Sequence, residues 1–344
     1  MALEQAEFAW PGGDNPGELN FEESVCSDYA KYILRSLEKV FPSWSAEDCR
    51  VTSLYPTDGI VGRYRITSPE DILFVRISSR MGHPILEKEV VDYLVVDGVS
   101  VNSIIYSEKI EWQGKTYRLD VRPFLDGRHF DGSNDDVGML AGTLRILHRS
   151  FKTFRGEGRV KDLASKRYRR LSRIMELVAH SLRVRRFDIF AEYAIWTKEN
   201  EDWLNEMAEQ FDPKIQCHAA AQCLHGEIHP GNVVFLADGA PVLLDFEESV
   251  HVYAPPSWDL AFFVQRFSLS DNPDRVTLMD RLELIAKEYG RPLPKLAETM
   301  RQASWLAMAV IFDLYITYNI VTPLSEYEKF VRLERQARNL EGIL

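Results

Sequence analysis

The run Leu224-His225-Gly226-Glu227-Ile228-His229-Pro230-Gly231-Asn232-Val233-Val234-Phe235 and its continuation Val242-Leu243-Leu244-Asp245-Phe246-Glu247 decide how the rest of the chain is read. Residues 233–236 and 242–246 are short apolar runs on either side of Ala237-Asp238-Gly239-Ala240, the pattern of a tight hairpin. Glu227 falls on a loop bearing glycine and proline, Asn232 opens the first strand, and Asp245 ends the second. The three side chains are therefore expected to converge at one end of the hairpin. His225 and His229 flank Glu227, but no third His or Cys follows at a metal spacing. The Pro-Cys-x-x-Cys element of zinc deaminases is missing too, since Cys217 and Cys223 precede the loop.

Two oxygen ligands, an amide and a carboxylate, suit Mg²⁺. A further carboxylate placed to orient and deprotonate a hydroxyl completes the set that phosphoryl transfer needs. Upstream, short β-branched and aromatic segments are expected as strands at 51–55, 62–67, 72–78, 101–107 and 117–123, with one helix at 84–95 among them. A helix over 24–40 precedes them. Beyond Asp126 the apolar spacing predicts helices over 136–151, 163–182, 189–196, 201–210, 273–289, 293–320 and 326–340. Strands with one helix, then a helical body holding one hairpin, is an α+β arrangement with two lobes.

The His225-Gly226-Glu227 loop followed by Asn232, then Asp245, then Ser257-Trp258-Asp259-Leu260-Ala261, resembles the aminoglycoside phosphotransferase and choline kinase families. That resemblance implies a protein-kinase-like fold: a small antiparallel-sheet N-lobe over 21–124 after a tail at 1–20, and a large mainly helical C-lobe over 125–344. It implies an ATP- and Mg²⁺-dependent kinase acting on a hydroxyl of a small aminoglycoside-, aminoalcohol- or sugar-like molecule. Glu227 would be the base, Asn232 and Asp245 would bind Mg²⁺, and His225 and Asp259 would support the catalytic loop. Residues 54–66, with Asp58, Gly59 and Gly62, would cover the phosphates. Arg76 would steady them, held by Glu87 from the helix, with Arg80 an alternative. Arg122, Pro123 and Phe124, running into Leu125, would form the hinge that meets adenine. Two positions depart from the family pattern: Glu227 stands where it has Asp, and Arg76 where it has Lys. Those departures keep open a catalytically weak, nucleotide-binding regulatory protein, and a Ser/Thr protein kinase of the same fold is a further alternative.

The 344 residues carry a formal net charge of -11, which argues against general nucleic-acid binding. One basic stretch runs from Arg159 to Arg186, and the acidic stretch after it suggests two solvated helices of complementary charge, with an anion-binding surface as the alternative. The most apolar run, 305–321, is interrupted by Asp313 and Asn319 and is expected as a buried helix, not a membrane span. Four cysteines without C-x-x-C spacing and an N-terminus unlike a secretory signal point to a reducing cytoplasm. Asp120, Asp126, Arg128 and His129 are expected as solvated turn residues. Glu247 and Glu248 fit either the site or an exposed turn, and His229 fits substrate or solvent.

Overall fold

The computed structural model describes residues 23–24, 27–42, 44, 47–54, 59–186, 193–211, 220–269, 273–293 and 296–342. They fall into two compact units, one containing the residues up to His129 together with Gly231–Glu247, the other Phe130–Pro230 with Glu248–Leu344.

The first unit is built on β1 (Glu23–Ser24), α1 (Ser27–Glu38), β2 (Arg50–Ser53), β3 (Gly62–Thr67), β4 (Ile72–Ser78), α2 (Pro84–Val96), β5 (Tyr106–Trp112) and β6 (Lys115–Pro123). Its strands form one antiparallel sheet in the order β1-β2-β3-β4-β6-β5. Because side chains alternate faces along a strand, Leu73, Val75 and Ile77 of β4 and Leu119 and Val121 of β6 share one face. There they are buried with Tyr64, Ile66 and the α1 residues Ile33, Leu34 and Leu37. The same alternation puts Arg76 of β4 and Arg118, Asp120 and Arg122 of β6 on the opposite face, with Arg76 directly across from Asp120.

The five expected strands are present, with the two-residue β1 added at the edge. The expected strand at 101–107 is displaced. The strand is 106–112, and Val101 instead makes a single parallel bridge to Leu243. Gln113 and Gly114, both at positive φ (48° and 75°), close a two-residue turn between the paired Trp112 and Lys115 and so set the register. Ile110 is the buried residue of this charged strand, which leaves little apolar pattern to read.

The chain continues through α3 (Asn134–Phe151), α4 (Glu157–Arg183), α5 (Ala194–Glu199), α6 (Glu201–Gln210) and β7 (Gln222–Cys223). It re-enters the first unit for the hairpin β8 (Val233–Phe235) and β9 (Pro241–Leu243), then closes with β10 (Tyr253–Ala254), α7 (Ser257–Phe263), α8 (Arg275–Tyr289), α9 (Ala297–Tyr318) and α10 (Leu324–Asn339). The hairpin, expected within the helical lobe, clusters with the sheet unit for a visible reason. Asn102 N–H donates to Leu243 O at 3.0 Å, Leu243 N–H to Ser100 O at 3.0 Å, and Arg128 N–H to Phe235 O at 2.9 Å. Gly127 permits the last approach, since a Cβ there would lie 2.6 Å from Phe235 O.

The helix expected at 189–196 lies largely outside the described residues, and α5 starts at Ala194. The basic stretch forms most of α4. Glu206 of α6 meets Arg301 and Arg338 from α9 and α10, while Arg167 and Arg170 of α4 pair with Glu248 and Asp313. Trp305 and Phe312 of α9 are buried. Among the described residues no helix is long and apolar enough to cross a membrane.

Candidate functional site

In the helical unit, Asp259 organises the loop at 225–227. It is fully buried in α7, and its Oδ2 accepts from His225 N–H at 3.0 Å while Oδ1 accepts from Gly226 N–H at 2.9 Å. His148 of α3 lies with Nε2 2.9 Å from Asp259 Oδ2, and its Nδ1 is 2.8 Å from the Tyr289 hydroxyl. Burial opposes ionisation of Asp259 most strongly. The His148 hydrogen bond and charge, His225 and the Gly226 N–H outweigh it and hold the carboxyl below the ordinary Asp range. Gly226 has φ 88°, a left-handed conformation that suits glycine. Glu227 N–H then donates to His225 Nδ1 at 3.3 Å. Its side chain is largely buried, with Oε1 4.0 Å from His229 Nε2. Arg167 of α4, ion-paired with Glu248, is close enough to feel the Glu227 charge.

In the sheet unit, Leu244 N–H donates to Asn232 O at 2.9 Å, so the hairpin register brings the amide residue level with the neighbour of Asp245. Asp245 itself has φ 53°, a left-handed conformation uncommon for a residue other than glycine. Nη1 of Arg76 donates to both Asp245 oxygens at 3.2 Å, and Nη2 donates to Asp120 at 3.2 Å and to Glu247 at 3.0 Å. Burial disfavours the Arg76 charge, but Asp245, Glu247, Asp120 and Glu87 more than offset it. Arg80 stands 3.7 Å from the other Glu247 oxygen.

The expected Arg76–Glu87 pair is not formed. Glu87, fully buried in α2, meets Arg118 at 2.7 Å and Arg122 at 2.8 Å instead. Arg118 in turn donates from Nε to Asp120 at 2.8 Å. Asp120 is thus no solvated turn residue. It is fully buried, and although burial penalises its charge, Arg76, Arg118, the Ser107 hydroxyl and Arg122 hold its carboxyl below the ordinary range. The alternation Arg118-Leu119-Asp120-Val121-Arg122, opposite charges on one face and apolar residues on the other, was the signal that could have found it.

Arg122 was expected at the hinge, yet its guanidinium is spent on Glu87 and Asn102 O. Pro123 O accepts from Asn102 Nδ2 at 3.3 Å, and Phe124 N–H donates to Ile72 O at 3.0 Å. Among the described residues no main-chain partner meets the Leu125 N–H. Gly59 has φ 83°, a left-handed conformation that suits glycine, while Asp58 lies outside the described residues.

The donor set is compatible with magnesium. As metal ligands Asn232 and Asp245 supply an amide and a carboxylate oxygen, the donor type that magnesium takes. No group of three or more His, Cys, Asp or Glu suited to a metal occurs among the described residues. Two protein ligands completed by water and phosphate oxygens is the usual magnesium arrangement.

A sheet unit carrying this hairpin and a mainly helical unit carrying the loop define a kinase-like fold, and solved structures bear this out. A spectinomycin phosphotransferase, solved with ADP and spectinomycin, is 16% identical with a TM-score of 0.58, covering 84% of this chain and 88% of its own. An ethanolamine kinase from Plasmodium vivax is 11% identical with a TM-score of 0.56 over 92% and 96%. Choline kinase LicA from Streptococcus pneumoniae is 14% identical with a TM-score of 0.55 over 90% and 100%. No curated protein sequence matches the chain. The model of the phosphotransferase enzyme family matches residues 63–293, and the chain belongs to that family.

Proposed function

We propose that the protein is a kinase that moves the γ-phosphoryl of ATP to a hydroxyl of a small molecule. The observation that carries this reading is the hairpin register. It sets Asn232 level with the residue before Asp245, which itself holds a left-handed backbone just past the second strand. Asn232 and Asp245 would hold Mg²⁺, which when bound neutralises charge on the nucleotide phosphates. Glu227 orients the acceptor hydroxyl and takes its proton, on a loop whose backbone is pinned by Asp259. Arg76 supplies permanent positive charge for the phosphates, and Leu125 offers a main-chain N–H for the base. The catalytic gain comes chiefly from positioning and charge complementarity, as expected for phosphoryl transfer.

A second reading, a nucleotide-binding regulatory protein with little transfer activity, is favoured by the hold of Arg76 on both Asp245 oxygens. Calorimetric titration with ATP, with and without Mg²⁺, on wild type and Asp245→Ala tests the first requirement common to both. Metal-dependent binding that disappears in the variant is expected. Binding indifferent to metal and to Asp245 would overturn the site assignment. An acceptor screen of amino sugars, aminoalcohols and generic protein substrates then separates a small-molecule kinase from a protein kinase and from a regulator.

A further inference from the structure

We propose that Asp120 is the positioning residue for Arg76, and that the contacts of the helix carboxylate Glu87 reach the metal-binding end of the hairpin through the relay Glu87–Arg118–Asp120–Arg76–Asp245. This deepens the reading of Asp245 as a metal ligand and rests on it. The cross-strand register places Asp120 directly opposite Arg76. A direct pair between a strand cation and the helix carboxylate would require Glu87 to turn toward Arg76. Both of its oxygens instead face arginines: Oε1 accepts from Arg122, and Oε2 lies 2.7 Å from Arg118 Nη2 in an ion pair that lacks hydrogen-bond alignment. Arg118 carries the contact onward, reaching Glu87 with Nη2 and Asp120 with Nε. Asp120 divides its carboxylate in the same way. Oδ1 accepts from Arg118 and from the Ser107 hydroxyl at 2.6 Å, and Oδ2 accepts from Arg76.

The chemistry explains why arginine stands at position 76. A planar fork with two terminal nitrogens can address Asp120 and Glu247 from one and both Asp245 oxygens from the other, as it does here. A lysine ammonium is a single point and cannot span those three carboxylates in the same way. Asp120 thus sets the angle at which Arg76 meets Asp245, and with it how the Asp245 carboxylate faces a metal-bound nucleotide.

The test is a double-mutant cycle on MgATP affinity, measured by calorimetry on purified full-length protein. Asp120→Asn and the milder Ser107→Ala are each made in wild type and in the Arg76→Gln background. Glu334→Gln serves as a control that breaks a buried ion pair with Arg301 in the other unit. Asp120→Asn is expected to weaken MgATP binding about tenfold and Ser107→Ala about threefold, within the range of coupling between contacting charged residues. Neither is expected to weaken it further once Arg76 is Gln, and Glu334→Gln should alter thermal stability without altering affinity. Ser107→Ala keeps every charge, so it decides the matter even where Asp120→Asn does not fold. Equal losses in both backgrounds, or an equal loss from Glu334→Gln, overturn the relay while leaving the proposed function standing. A wild type that does not bind MgATP overturns both.

Discussion

Replacing Gly226 by alanine should destabilise the protein through two separable effects. The residue has φ 88°, and a Cβ there would lie 2.9 Å from Val252 Cγ2, 3.1 Å from Val252 Cβ and 3.4 Å from Glu248 O. A left-handed conformation costs an L-residue about 1–2 kcal/mol. Pushing a methyl into a stiff β-branched neighbour adds about 1–3 kcal/mol. Reduced freedom of the unfolded chain returns about 0.4–1 kcal/mol. The expected net cost is therefore about 1–5 kcal/mol. Val252 is itself buried, 2% exposed, so the steric share can be isolated by repeating the substitution in Val252→Ala. There the Cγ2 contact is gone while Cβ stays at 3.1 Å, and the cost should fall to about 0–2 kcal/mol, the backbone share less the gain from the unfolded chain. Urea unfolding followed by tryptophan fluorescence measures all four proteins. A cost below about 0.5 kcal/mol, or the same cost in both backgrounds, would refute the account of why the loop needs glycine at this position.

Asp259 should impose an acid limit on stability. Its folded pKa lies below the unfolded value, so its contribution is complete above the ordinary Asp range near about 3.9 and is lost as pH falls through the folded value. Asp259→Asn should therefore cost about 3–5 kcal/mol at neutral pH, with the gap to wild type narrowing only in acid. Unfolding curves taken from neutral to acid pH check this, and a gap independent of pH would contradict it. Glu227→Gln should reduce transfer to an identified acceptor by about 10²–10⁴-fold while calorimetry shows MgATP binding retained. Full activity in that variant would remove Glu227 from the chemistry. Cys223 is fully buried, and burial above all, with Glu157 adding to it, pushes its thiol up to about 12. Iodoacetamide at mildly alkaline pH should leave it unmodified in native protein and alkylate it in urea, as peptide mapping would reveal.

Much of the architecture was legible because it rests on local pattern. The strands 62–67 and 72–78 and the helix 201–210 end where the alternation or the helical spacing ends. The loop-and-hairpin run announced itself through residue types at fixed offsets, and its hairpin follows from two apolar runs around Asp238 and Gly239. The short helix at Ser257–Phe263 was harder to read, since Asp259 is buried against the 225–227 loop and interrupts an otherwise apolar run.

Local sequence pattern determined a two-lobed α+β arrangement and the candidates Glu227, Asn232 and Asp245, because backbone preference and chemical type are properties of neighbouring residues. The resemblance of the loop motif supplied the kinase-like fold. The tertiary structure decided who pairs with whom. Glu87 and Arg76 both stand where a strand–helix ion pair was expected, yet each is claimed by other partners. Residues on β6 that are distant in sequence from both reach them first. Charge type says that a buried arginine must find a carboxylate. Which one it finds depends on strand register and on distances of a few ångströms, and those exist only once the sheet has formed.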